Sequence, residues 1–184
     1  VLKKLIAVSP LLVIGALAYL SFSPKNPVNG QAPVLQRDSG FWTVLSVADG
    51  DTIKIKTESG EIKDIRFCGI DSPEKTQTLG AESKANLQRL IAEVNNKVIG
   101  YPVEVDRYGR TVAEVFTSKG DVEKFLNEEQ VRSGNAYIYR QYLGKCANKG
   151  ALEKAEEIAK NQRNGVWFRN DLIKPWDYRK SRRS

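Results

Sequence analysis

The chain has 184 residues, 41% of them hydrophobic, a formal net charge of +7 and no histidine. That suits one domain plus a leader or linker, and excludes a disordered or low-complexity chain. The missing histidine removes imidazole bases and imidazole metal ligands, so any metal site must be oxygen-rich, suiting calcium, magnesium or manganese rather than zinc. The basic excess favours a polyanionic partner, either nucleic acid or an anionic membrane surface.

In chain order, Lys3 and Lys4 precede an uncharged stretch from Leu5 to Pro24. A positive start followed by an apolar segment reads as an export signal, with Ala16-Leu17-Ala18 as a small-x-small cleavage site. Tyr19, Leu20 and Phe22 prolong the apolar run, so residues 1–22 are either a signal peptide or a membrane anchor through residues 5–22. In both cases the domain is expected outside the cytoplasm: secreted, periplasmic or membrane-anchored. Residues 23–40, with three prolines and two glycines, read as a flexible linker.

The folded domain is expected over 41–178, with a basic tail at 179–184. Trp42–Val47, Thr52–Lys56 and Ile62–Phe67 read as strands joined by turns at Asp49-Gly50-Asp51 and Ser59-Gly60. Ala81–Val94 carries a helical pattern. Lys97–Val105 and Arg110–Phe116 read as two more strands. Asn127, with Gln130 three residues on, reads as the capping box of a helix that stops at Gly134. A last helix spans Lys149–Gln162. The order β-β-β-α-β-β-α-α predicts an α+β protein, a five-stranded OB-fold barrel with three packed helices.

Four clusters carry possible chemistry: Asp49-Gly50-Asp51-Thr52, Gly69 to Glu74 after Arg66, Asp106-Arg107-Tyr108-Gly109-Arg110, and Tyr137 to Tyr142. Each alone has a structural explanation as a turn, a helix start, a surface ion pair or a core segment. In the expected barrel, Asp51 and Asp71 both fall at strand ends, where two carboxylates make a hard-oxygen site for a divalent cation. Glu74 lies three residues on and is the natural base for water. Arg66 and Arg110 supply bidentate donors for a phosphate.

Asp-Gly-Asp-Thr at 49–52, Arg-x-x-Gly-Ile-Asp-x-Pro-Glu at 66–74, Asp-x-Tyr-Gly-Arg at 106–110 and Val-Arg-x-Gly-x-Ala at 131–136 together resemble the staphylococcal nuclease family. The resemblance runs from about Trp42 to Trp167. It implies a calcium-dependent nuclease that hydrolyses DNA and RNA, leaves 3′-phosphate ends, prefers single strands and acts as a monomer. It implies Asp51, Asp71 and the Ser72 carbonyl as calcium ligands, with Asp49 orienting them. Glu74 would handle the attacking water, and Arg66 and Arg110 would bind the scissile phosphate. Arg107 and Tyr108 would contact other phosphates. An ungapped alignment from Gly134 puts Arg140 and Tyr142 at the family's substrate-side tyrosines, whereas a one-residue shift puts Tyr139 first. The segment from Glu74 to Gly80 is shorter than the family's mobile loop.

Cys68 and Cys146 are either two free thiols or, in an exported protein, one disulfide. The family fold brings their two regions together beside the active site. The rival functional reading is a non-catalytic OB-fold module that binds nucleic acid or a protein. A third is an anchored protein whose tail, from Arg179 to Arg183, meets anionic lipid, although so short a tail is expected simply to be solvated.

Overall fold

A computed structural model describes residues 40–183. The expected leader at 1–22 and nearly all of the linker at 23–40 lie outside the described residues. Gly40, assigned above to the linker, opens the first strand.

Strands β1 (Gly40–Val47), β2 (Thr52–Thr57) and β3 (Ile62–Phe67) form an antiparallel meander. In β2 the alternation is literal: Ile53 and Ile55 are buried, and Lys54 and Lys56 face solvent. A two-residue strand β4 (Ile70–Asp71) follows, then helix α1 (Gly80–Ala92). Leu87, Leu90 and Ile91 lie on its buried face, at the spacing that brings helical side chains to one side.

Strands β5 (Lys97–Val105) and β6 (Thr111–Lys119) are antiparallel, and β5 also pairs with β1. A parallel pairing of β3 with β6, Arg66 opposite Val112, closes the five long strands into a barrel. Closure buries isoleucines and valines inside the barrel. The α+β barrel expected from the element order is therefore the observed one.

Three features differ from the expected pattern. Strand β7 (Val122–Phe125) extends β6 and runs straight into α2 (Leu126–Arg132), so Asn127 lies inside the helix rather than capping it. Buried Asn127 instead accepts from the Val115 N–H and donates to the Cys68 carbonyl, because those buried backbone groups need internal partners. After β8 (Tyr137–Ile138), which pairs with β4, comes a single helical turn α3 (Arg140–Leu143). Beyond α4 (Lys149–Asn161), a further helix α5 spans Pro175–Ser181. The three expected helices are α1, α2 and α4; α3 and α5 are additional. The tail boundary drawn at Arg179 falls inside α5, so that segment is not a free solvated tail.

Cys68 and Cys146 are joined by a disulfide, with Cα atoms 5.9 Å apart. It ties the β3–β4 connection to the segment between α3 and α4.

Candidate active site

The turn at Asp49-Gly50-Asp51 is built to bury a carboxylate. Asp49 Oδ1 accepts the Asp51 N–H, which tightens the turn. A side chain at Gly50 would meet Ser83 Oγ at 1.7 Å, so only glycine lets α1 approach this closely. Gln130 of α2, buried, donates to the Gly50 carbonyl at 2.6 Å and fixes the turn from below. Asp51 is thereby held inside, accepting from Thr52 Oγ1 at 2.9 Å and from the Ser72 N–H at 2.6 Å.

Asp71 arrives from the other direction. The β4–β8 pairing sets it opposite Tyr137 and leaves it 1% exposed. Arg66, at the end of β3, lies between the two aspartates. Its Nη2 donates to Asp71 Oδ1 at 2.7 Å, and its Nη1 lies 2.7 Å from Asp51 Oδ1. The second contact is an ion pair without hydrogen-bond alignment, so Nη1 is a buried donor lacking an aligned acceptor. A buried donor in that state is costly unless a ligand completes it.

The pocket carries an excess of buried negative charge. Burial, and next the charge of Asp51, push the Asp49 carboxyl up to about 7. Burial also raises Asp71, despite the opposing pull of Arg179 and Arg66. Among the described residues no three carboxylate or thiol side chains already sit in metal-ligand geometry. The donor chemistry nevertheless fits a hard cation. Two buried carboxylates sit on one shared guanidinium, and a divalent charge would relieve the excess that raises Asp49 and Asp71.

The cavity around this centre has a volume of about 870 Å³. Asp49, Asp51, Arg66, Asp71, Ser72 and Glu74 line one end. Arg107, Tyr108 and Arg110 line another wall, in the turn between β5 and β6. Arg110 is held by Asp106, through Nε at 2.8 Å and Nη2 at 2.7 Å. Burial works to raise Asp106, but the hydrogen bonds from Arg110 and from the Tyr108 N–H outweigh it and hold the carboxyl low. Arg107 donates to the Tyr108 hydroxyl at 2.8 Å at the exposed rim.

Tyr139 and Tyr142 both line the cavity, with ring centroids 4.8 Å apart. Arg140 does not line it: its Nη2 donates to buried Glu156 on α4. The turn of α3 swings Arg140 outward and returns Tyr142 to the side of Tyr139, so the two tyrosines, and not Arg140, face the cavity.

The residue that the sequence reading misplaced is Arg179. From α5 it donates to Asp71 Oδ2 at 2.7 Å, to Asp71 Oδ1 at 3.1 Å and to Glu74 Oε1 at 2.7 Å. Burial draws its guanidinium pKa down, but these carboxylates outweigh burial and raise it. Trp176, Lys180 and Arg183 join it along the same wall. The one available signal was Lys174-Pro175-Trp176, since proline is favoured in the first turn of a helix.

Residues 64–169 match the model of the family described as staphylococcal nuclease homologues. The chain belongs to the staphylococcal nuclease family. It is 31% identical over 144 residues to a protein of Haemophilus influenzae named an uncharacterized endonuclease, covering 78% of this chain and 75% of that protein. A protein of Escherichia coli O157:H7 with the same name is 32% identical over 136 residues, 74% of this chain and 82% of its own. A staphylococcal-like nuclease of Arabidopsis thaliana is 34% identical over 119 residues, 65% of this chain but only 34% of its own length. As a family member the chain is a nuclease, an enzyme that hydrolyses phosphodiester bonds. The rival reading as a binding module without catalysis would suit a family member that had lost its carboxylates and arginines, and all of them meet here in one cavity.

Proposed function

We propose that this nuclease is calcium-dependent, acts on both DNA and RNA with a preference for single strands, and leaves 3′-phosphate and 5′-hydroxyl ends. The observation that carries the reading is the meeting of Asp51 and Asp71 on the Arg66 guanidinium, in a cavity that also contains Glu74 and Arg110. Asp51, Asp71 and the Ser72 carbonyl would hold the ion, and Asp49 would orient Asp51 through the turn. When bound, calcium supplies positive charge against the oxygens of the scissile phosphate.

The remaining steps belong to the chain's own side chains. The buried Arg66 Nη1, lacking an aligned acceptor, is a ready donor to a phosphoryl oxygen. Arg110, kept rigid by Asp106, offers a second guanidinium from the opposite wall. Their charge counts most as negative charge grows on the phosphoryl oxygens in the transition state. Glu74, half-buried at the cavity's edge, orients the water and takes its proton. Arg107 and Tyr108 engage phosphates further along the strand. Tyr139 and Tyr142 offer ring faces to unstacked bases, which duplex DNA does not present. The protein acts as a monomer.

Export fits the disulfide, since such bonds persist in oxidising compartments. Whether through a cleaved signal or an anchor over residues 5–22, the nuclease domain would work outside the cytoplasm. The test is cleavage of single-stranded DNA with calcium, with EDTA, and by Glu74→Gln. Cleavage should vanish in EDTA and fall at least about 100-fold in the variant. Full activity in chelator would refute the calcium reading, and full activity of Glu74→Gln would refute the role given to Glu74.

A further inference from the structure

The matched family region ends at residue 169, so α5 lies beyond it. Yet Trp176, Arg179, Lys180 and Arg183 all line the active-site cavity. Trp176, Arg179 and Lys180, spaced by three and one residues, share one face of α5, and Arg183 follows just past its end. The face is firmly seated. Pro175 is buried, the Tyr178 hydroxyl lies 2.9 Å from Thr76 Oγ1, and Gln77 Nε2 donates to the Ile173 carbonyl.

The chemistry of this face differs from that of the catalytic end. Arg179 is engaged by the carboxylates of Asp71 and Glu74. Arg183 lines the cavity together with Tyr108, whose hydroxyl accepts from Arg107 at 2.8 Å. Arg107 first, and then Arg183, draw the phenol pKa down, and the Arg107 hydrogen bond ends on a hydroxyl that a phosphate could replace as acceptor. Beside this cationic rim, Trp176 stacks on Tyr139 with centroids 5.2 Å apart and rings inclined by 12°. Tyr142 meets Tyr139 edge-on. A basic rim next to a stacked aromatic platform is the arrangement that holds single strands. At about 870 Å³ the cavity also has the size of a site for a whole small ligand, well beyond one phosphate group.

We propose that α5 and the residues just after it carry a nucleotide subsite for single-stranded nucleic acid, flanking the scissile phosphate. Lys180 and Arg183 hold neighbouring backbone phosphates, and a base adds to the Tyr139–Trp176 stack. The proposal rests on the nuclease reading and adds a specificity element to it. It makes α5 a determinant of how tightly a strand of several nucleotides is held, while the reacting phosphate stays with Arg66 and Arg110.

The experiment compares wild type with Lys180→Ala/Arg183→Ala, binding a fluorescent single-stranded oligonucleotide in EDTA across a salt series. Two lost phosphate contacts lower the steepness of log K against log salt by about 1.4, and weaken binding roughly tenfold at 150 mM salt. In cleavage assays the loss appears in KM rather than kcat. Strand binding also quenches tryptophan fluorescence in the wild type, and Trp176→Phe removes that quenching, which a purely electrostatic role would not do. Equal melting temperatures confirm that the exposed double substitution leaves the fold intact. Equal affinity and equal salt dependence in a folded double variant overturn the subsite, as does undiminished quenching in Trp176→Phe. Failure of the wild type to cleave overturns the nuclease reading instead, so the two failures are distinguishable.

Discussion

If calcium binds as proposed, it and Arg179 compete for the same oxygens. Asp71 Oδ1 already accepts from Arg66 at 2.7 Å and from Arg179 at 3.1 Å, and its Oδ2 accepts from Arg179 at 2.7 Å. A cation bound through Asp71 must therefore displace the fork of Arg179. Unit charges about 4 Å apart interact with about 4 kcal/mol at the effective dielectric of a protein surface. Arg179 is 33% exposed, so solvent screening brings the pair down to about 1–2 kcal/mol. Arg179→Gln removes the competing charge and keeps a planar polar group. We predict that calcium binds this variant roughly 5- to 30-fold more tightly, each 1.4 kcal/mol being tenfold. Titration calorimetry on EDTA-stripped protein, without nucleic acid, reads this directly. Affinity equal to or weaker than wild type would show that Arg179 does not compete and would refute the reasoning.

Three further outcomes follow from other parts of the structure. Arg66→Ala should lose about 100- to 1000-fold in kcat, because it removes a donor aimed at transition-state charge; a steady-state assay showing near-normal turnover would move the phosphate site elsewhere. Replacing both Cys68 and Cys146 by alanine opens a loop with sequence separation 78, which costs roughly 4.5 kcal/mol in the chain-entropy model. Urea unfolding checks this, and a loss under about 1 kcal/mol would contradict it. Burial pushes the Tyr137 phenol up to about 12, from its ordinary value near 10. The folded state therefore keeps its proton where the unfolded chain has lost it. The stability this contributes is fully present below pH 10 and is lost as pH rises through about 12, by on the order of 3 kcal/mol. Tyr137→Phe should lack that alkaline decline in denaturation curves taken across this range.

Much of this protein could be read from its sequence because local and global preferences agree. The alternation in Thr52–Lys56 is visible because one side of that strand faces the core and the other faces water. The Asp-Gly-Asp turn is visible because Asp49 bonds back to the Asp51 N–H and only glycine at 50 leaves room for α1. What escaped was what only tertiary contact decides. Asn127 looks like a cap from spacing alone. Its side chain turns inward because the Val115 N–H and the Cys68 carbonyl, far away in sequence, need partners.

The C-terminal segment is the deeper case. Arg179-Lys180-Ser181-Arg182-Arg183 looks like a solvated basic run, since charge runs usually are. α5 is seven residues long, too short for its periodicity to stand out. Its helical state depends instead on the proline at its start and on docking through Tyr178 and Trp176. Once docked, the segment is held in place by a pocket with too much negative charge. Asp49, Asp51, Asp71 and Glu74 meet at one end of the cavity, and Arg66 lies between only two of them. A second guanidinium at Asp71 and Glu74 is the electrostatic consequence. The same charge excess that suits this site to a cation thus explains why a basic helix, 108 residues further along the chain, folds back onto it.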